Sequence, residues 1–309
     1  MKIIFMGTPD FAVPVLESLH EAGHDIICAI CQPDKASGRG HKVKYPPVKE
    51  KALELGIDVA QPAKVKGNTD FLEAVEEAGP DMVIVAAYGR ILPKELLDAP
   101  KYGCVNVHAS LLPALRGASP IPMSIVRGYE ETGVSIMKME EGLDTGGVYA
   151  QARVKIGRKH CPELLEELSR VGADLLVGTV DGIADGSITA KKQDDSLATF
   201  TGMIEKKDGL IDFSKSPEEI DCMVRGYDPW PGAYTYLNGE VLKIWETEPR
   251  DAVNEKAPGT VTAVCDDGIE ISAGGKTLVA KVIQVPGKKR MKTGDYLKGH
   301  DIELFTVLG

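Results

Sequence analysis

The chain contains no apolar run near the roughly 20 residues that a membrane-crossing helix needs, which excludes a helical integral membrane protein. No charged-then-apolar leader precedes Lys2-Ile3-Ile4-Phe5-Met6-Gly7, which reads directly as a strand and turn, so a cytoplasmic location is expected. Cysteine is sparse, with six in 309 residues. Cys28 and Cys31 form a lone C-x-x-C with no second pair. In a strand these two positions face opposite sides, so joint metal chelation is disfavoured and buried reduced thiols are expected. The first strand–helix turn lacks G-x-G-x-x-G, and Pro9 removes an amide that would bind phosphate. A nicotinamide dinucleotide is therefore a poor fit. A positive net charge is also lacking: the formal value is −10, which argues against non-specific nucleic-acid binding.

The basic residues that are present are unevenly placed. Lys35, Arg39, Lys42, Lys44 and Lys49 crowd one stretch after Asp34. Lys281, Lys288, Lys289, Arg290, Lys292 and Lys298 crowd another, interrupted only by Asp295. Either patch alone reads as a solvated loop. Two of them on an acidic chain suggest a polyanion held in one place.

The first half alternates apolar runs with amphipathic stretches. Strands are expected at 2–6, 25–31, 82–86, 103–108 and 133–139, and helices at 11–22, 47–55, 68–78, 94–99, 120–127 and 161–180. This order predicts an α/β fold, a doubly wound and mostly parallel sheet, with ligands bound beyond the carboxyl ends of the strands. From Leu210 the pattern becomes short alternating strands punctuated by Asn238-Gly239, Asp267-Gly268 and Gly274-Gly275, which predicts a small β-barrel. A helix at 216–225 is expected beside it, capped by Ser216 or Ser214. The expected division is a catalytic domain over 1–189, a linker over 190–208 and a barrel domain over 209–309.

Asn106 and His108 stand two apart in an apolar strand and so share a face. The other five histidines have no such company. Downstream, Asp144 lies on the glycine-flanked turn Gly142-Leu143-Asp144-Thr145-Gly146-Gly147. An amide to polarise a carbonyl, a titratable ring and an acid to orient it form a set that needs no nucleophilic serine or cysteine. Taken singly, a strand histidine is usually a core residue and Asp-Thr-Gly is ordinary turn chemistry, so spacing alone leaves the set weak.

The order of the motifs strengthens it. Asn106-x-His108, Ser110-Leu111-Leu112-Pro113, Arg116-Gly117, Pro120 and Gly142–Gly146 together resemble the 10-formyltetrahydrofolate-dependent formyltransferases. Met6-Gly7-Thr8-Pro9-Asp10-Phe11-Ala12, Gln32-Pro33-Asp34-Lys35, Pro229-Trp230-Pro231-Gly232-Ala233 and Gln284–Lys289 are similar to the members that act on methionyl-tRNA, over essentially the whole chain. The chain departs from the family at Ala114-Leu115, where Arg-Trp is common before Arg116-Gly117, at 158–161 and at Phe200-Thr201. The resemblance implies a Rossmann-like formyltransferase core with an OB-like barrel. It implies 10-formyltetrahydrofolate as co-substrate and no metal, with initiator methionyl-tRNA as acceptor; a monomer is expected on the separate ground that the second domain covers much of the first. It implies that Asn106 and His108 donate hydrogen bonds to an oxyanion while Asp144 orients His108. Ser110, Leu111, Leu112 and Pro113, with Ala87, Tyr88 and Gly89, would line the folate pocket. Arg39 and Lys42 on the first basic loop, and Lys288, Lys289 and Arg290 on the barrel, would contact tRNA. The alternatives are a formyltransferase acting on glycinamide ribonucleotide or an amino-sugar nucleotide, a hydrolase releasing formate, and a catalytically silent RNA-binding protein.

Overall fold

A computed structural model describes residues 1–37 and 42–309; for 35–37 and 42–43 it describes the backbone alone. Seventeen strands lie among the described residues: β1 (Lys2–Gly7), β2 (Asp25–Ile30), β3 (Lys35–Ser37), β4 (Lys42–Lys44), β5 (Val59–Ala60), β6 (Met82–Ala86), β7 (Cys104–His108), β8 (Arg116–Gly117), β9 (Glu131–Lys138), β10 (Val148–Lys155), β11 (Phe200–Thr201), β12 (Tyr234–Leu237), β13 (Glu240–Val253), β14 (Val261–Cys265), β15 (Gly268–Ala273), β16 (Lys276–Gln284) and β17 (Met291–Lys292). The α-helices are α1 (Val13–Glu21), α2 (Pro47–Glu54), α3 (Thr69–Ala78), α4 (Lys94–Asp98), α5 (Pro120–Val126), α6 (Cys161–Asp185), α7 (Pro217–Gly226) and α8 (Thr293–Leu297).

Contacts divide the chain into two units. The first comprises Met1–Pro120, Glu131–Lys155 and Leu165–Gly202; the second comprises Ile121–Glu130, Ile156–Leu164 and Met203–Gly309. The first unit is built on a seven-stranded sheet in the order β10-β9-β7-β6-β1-β2-β5. The strands from β5 to β7 are mutually parallel, and β9 runs against β7. Parallel strands covered on both faces read as unbroken apolar runs, and every residue of β6 is buried. The strand order reverses between β1 and β6, so the switch-point crevice opens beyond Gly7 and Ala86, next to the end of β7. Gly7 is required there: a Cβ would come within 2.7 Å of the Ala12 Cβ and 3.0 Å of the Ala86 carbonyl.

Local signals set the helix ends. Asn68, rather than the following Thr69 or Asp70, caps α3 by accepting from the Phe71 N–H at 3.3 Å. Gly79, at φ +56°, ends that helix in the left-handed conformation. Ser216 and Glu219 form a reciprocal capping box on α7.

The second unit carries an antiparallel sheet in the order β12-β13-β16-β15-β14, with β17 on β16. The terminal segment bridges its two edges. Phe305 and Thr306 pair with Val261, Leu308 donates to Gly259, and Gly309 donates to the Tyr236 carbonyl. This closes the sheet into a small barrel around Leu242, Ile244, Ile271, Leu278 and Ile283.

The expected linker over 190–208 is not a free connector. Its first part belongs to the first unit: Lys191 bridges Val148, and β11 pairs in parallel with β8. Its last part, from Met203, belongs to the second. The segment lacks apolar periodicity because backbone pairing and polar side chains hold it. Strand β10 also escaped the sequence reading. It is an edge strand with one buried residue, Val154, and so carries little apolar pattern.

Candidate active site

The site is built in the first unit at the ends of β6 and β7. Pairing of Val85 with Asn106 brings the two strand ends side by side. Beyond β6, Ala87 (φ +47°) and Gly89 (φ +80°) turn the chain, both exposed. Nothing lies within 4 Å of where a Gly89 Cβ would sit, so the turn borders open space. The Tyr88 ring points the other way, 2% exposed in the core. Its carbonyl is held by the Gln32 side-chain amide at 3.0 Å. The Tyr88 side chain is thus withdrawn from the expected folate-lining turn, which keeps Ala87 and Gly89 on its open side.

Beyond β7, Ser110 to Pro113 are fixed by one hydroxyl. Ser135 Oγ donates to the Ser110 carbonyl at 2.6 Å and accepts from the Leu112 N–H at 3.0 Å. Gln151 Nε2 donates to both Ser135 Oγ and the Leu112 carbonyl, each at 2.9 Å. Ser110 Oγ is spent on the Ala114 carbonyl at 2.6 Å. Leu112 is buried, while Leu111 and Pro113 stay half-exposed.

His108 is 6% exposed and lies between two acceptors. Nε2 sits 3.2 Å from the Leu115 carbonyl, and Nδ1 sits 3.7 Å from Asp144 Oδ2. A carbonyl only accepts, so in the neutral ring the proton is assigned to Nε2. Nδ1 then presents its lone pair toward Asp144. Burial pushes the imidazole below its ordinary 6.5, against the opposing pull of the Asp144 carboxylate and the Leu115 carbonyl. This geometry commits the Nε2–H to Leu115, whereas the resemblance implied that a ring N–H points at an oxyanion.

Leu115 holds φ +58°, a conformation that costs an ordinary side chain about 1–2 kcal/mol. Its N–H is tied to Thr199 Oγ1 at 2.8 Å, and the next N–H, of Arg116, to the Thr199 carbonyl at 2.8 Å. The departure at Ala114-Leu115 is thus accommodated by a buried leucine whose backbone grips both His108 and the 199–201 segment. Gly117, at φ +110°, leaves no room for a Cβ, which would meet the Thr201 carbonyl at 2.2 Å. Its N–H donates to Asp144 Oδ2 at 2.7 Å.

Asn106 is half-buried on the same face of β7, and its side-chain amide makes no hydrogen bond to a described residue. It is a free donor beside a ring with a free lone pair. Asn106, His108 and Asp144 therefore come together, although they are scattered over 39 residues of sequence. Among the described residues no group of three or more His, Cys, Asp or Glu could hold a metal ion. All six cysteines are free, and burial raises the Cys31 thiol to about 11.

The expected tRNA contacts are placed less uniformly. Arg39 lies outside the described residues. Lys42 lies on β4, whose backbone pairs with β3. Lys288 and Lys289 are exposed. Arg290 is engaged within its own unit: it forms a two-pronged ion pair with Asp228 at 2.7 and 3.2 Å and stacks 3.4 Å above the Trp245 ring.

A buried imidazole with a carboxylate behind it and an unspent amide beside it, at the switch point of an α/β sheet, defines an enzyme that handles an acyl carbon and a proton. The chain belongs to the formyl transferase family: the model described as "Formyl transferase" matches residues 1–177, and "Formyl transferase, C-terminal domain" matches 203–301. The curated methionyl-tRNA formyltransferase of Bacillus subtilis (strain 168) is 47% identical over 310 residues, covering 100% of this chain and 98% of that one. That of Lachnospira eligens is 43% identical over 315 residues, with full coverage of both. Solved structures share the fold at low identity. A Helicobacter canadensis N-formyltransferase in complex with folinic acid and dTDP-3-aminofucose superposes with TM-score 0.68 at 19% identity, over 91% of this chain and 98% of that one. The Clostridium thermocellum methionyl-tRNA formyltransferase gives 0.56 at 17%, over 81% and 94%.

Proposed function

We propose that this protein transfers the formyl group of 10-formyltetrahydrofolate to the α-amine of methionine carried by initiator tRNA, as a monomer in the cytoplasm. The observation that carries the reading is likeness over both units at once: relatives bearing that activity in their names match the chain end to end at 43–47% identity. No helix among the described residues is long and apolar enough to cross a membrane.

The residues present suit a folate donor. Open backbone at Ala87 and Gly89 and the half-exposed apolar residues Leu111 and Pro113 follow the ends of adjacent strands, the kind of apolar surface with a few polar groups that a pterin ring needs. The donor supplies an activated formyl group when bound. The chain's residues then do the rest. The Asn106 amide donates to the formyl oxygen as negative charge develops; removing such a donor typically costs about 10²–10³ in rate. His108, neutral because it is buried, accepts the amine proton at Nδ1. That proton then lies between ring and carboxylate, and Asp144 stabilises the imidazolium; as the new amide bond holds and the bond from the formyl carbon to N10 of the folate breaks, the proton passes to N10 and the ring returns to neutral. Lys288 and Lys289 serve as phosphate contacts that add affinity without reading sequence, with Arg39 and Lys42 on the other basic segment.

The test is to give the purified protein 10-formyltetrahydrofolate with charged initiator tRNA, glycinamide ribonucleotide, an amino-sugar nucleotide, or water alone. Formylation of the tRNA is the expected result. Turnover with another acceptor, or formate release independent of tRNA, overturns the reading.

A further inference from the structure

Asp144 occupies a left-handed conformation, φ +51°, that a non-glycine residue holds only when its surroundings impose it. The surroundings are largely one side chain. Gln193, 7% exposed, reaches into the turn and donates from Nε2 to the Asp144 carbonyl and the Gly146 carbonyl, each at 2.7 Å. Its Oε1 accepts from Arg116 Nε at 3.2 Å and Nη2 at 2.9 Å. Both donors and both acceptor sites of the amide are spent. The amide cannot be flipped, because its oxygen would then face two carbonyls and its nitrogen two guanidinium donors.

Arg116, 3% exposed, has Asp195 as a second partner at 2.7 Å. The residue after it, Gly117, is the one whose N–H holds the Asp144 carboxylate. Gln193 therefore joins the two walls that aim Asp144 at His108: the 144–146 turn through its nitrogen, and the 116–117 strand through its oxygen. The turn is close-packed besides. A Cβ on Gly146 would lie 1.9 Å from the Lys138 carbonyl, so the turn has no other seat.

We infer that Gln193 is a positioning residue for the reaction, fixing the Asp144 turn against Arg116–Gly117 and so setting the distance between Asp144 and His108. This rests on the function proposed above for the same site. Glutamine is the side chain that fits: asparagine is one methylene short, and glutamate would keep Arg116 but aim a carboxylate oxygen at two carbonyls.

The experiment uses the full-length protein and three substitutions. Gln193→Glu retains the Arg116 pairing and size while removing both donors, so it keeps a folded control available if Gln193→Ala does not fold. Each is expected to lower kcat about 10- to 100-fold, the scale for misplacing a reacting group by an ångström, with KM for both substrates within about twofold. The same change made on an Asp144→Asn background should have almost no further effect, since Gln193 acts through Asp144. A readout independent of turnover is the His108 ring titration followed by NMR, which should fall in Gln193→Glu as the supporting carboxylate moves away. A folded Gln193→Glu with wild-type kcat and an unmoved His108 titration overturns the inference, as does a loss that simply adds to that of Asp144→Asn. Failure of the wild-type protein to formylate charged initiator tRNA sinks the proposed function instead, and the titration still decides the role of Gln193.

Discussion

Two histidine–aspartate pairs lie among the described residues, and they are finished differently. His160 Nδ1 meets Asp228 at 3.1 Å, and Arg290 takes both carboxylate oxygens of the same aspartate. Burial pushes the Asp228 carboxyl up, but the bonds from His160 and Arg290 outweigh it and hold it below the usual carboxylate range. His108 and Asp144 stand 3.7 Å apart, with Asp144 Oδ1 taking no hydrogen bond from a described residue and the ring nitrogen facing it unprotonated. The first pair is closed and can only hold the barrel's neighbours in place. The second has unused capacity in a nearly dry setting, and the proposed function uses that capacity to receive a proton. Chemical potential here lies in the bonds a buried group has left to make.

Breaking the open pair should cost far more activity than breaking the closed one. Replacing Asn106, His108 or Asp144 with alanine is expected to lower kcat by about 10²–10³ with little change in thermal stability. Near-wild-type turnover in any of the three removes that residue from the set.

Salt dependence sharpens the contrast on the barrel. Lys288→Ala or Lys289→Ala should each reduce the slope of log affinity for tRNA against log salt by about 1, the loss of one phosphate contact. Arg290, already spent on Asp228 and Trp245, should leave the slope almost unchanged when replaced. An equal reduction for Arg290→Ala would mean that it leaves Asp228 to bind phosphate.

Acid should act on both pairs with the same sign. The folded value of His108 lies below its ordinary 6.5, so the neutral ring persists below that pH and the acid limb of the kcat/KM profile, which reports the free enzyme, should lie under 6.5. Charging the ring costs the fold, so its share of stability falls as pH drops through the unfolded value toward the folded one. Asp228, with a depressed folded value, contributes above the ordinary carboxylate range and loses that contribution as pH falls through the depressed value. Asp228→Asn should flatten the acid loss of stability by about 1 kcal/mol or less, because Arg290 is 42% exposed and solvent screens the pair. Chemical denaturation at several pH values measures this.

The sequence made much of the first unit legible, for physical reasons. Short, β-branched apolar runs such as Met82–Ala86 favour strands buried on both faces, and Asn106 and His108 share a side by the period of a strand. The turn chemistry at Asn238-Gly239 and Asp267-Gly268 marked the barrel's hairpins. What stayed hidden depends on long-range bonds. Gln193 finds its partners 49 and 77 residues away, in a segment with no apolar rhythm, and no local signal could have singled it out. The bond from His108 to Leu115 depends on a left-handed leucine that propensity would not place there. The Tyr88 ring turned inward because a side chain that large is better buried than wet, which leaves the exposed turn to its smaller neighbours.

The most direct test of the account is the single-turnover formylation rate at saturating donor and charged initiator tRNA, measured side by side for Asp144→Asn and Asp228→Asn. The account predicts a loss of about 100-fold or more for Asp144→Asn and a rate within about twofold of wild type for Asp228→Asn. Equal rates for the two variants would contradict it.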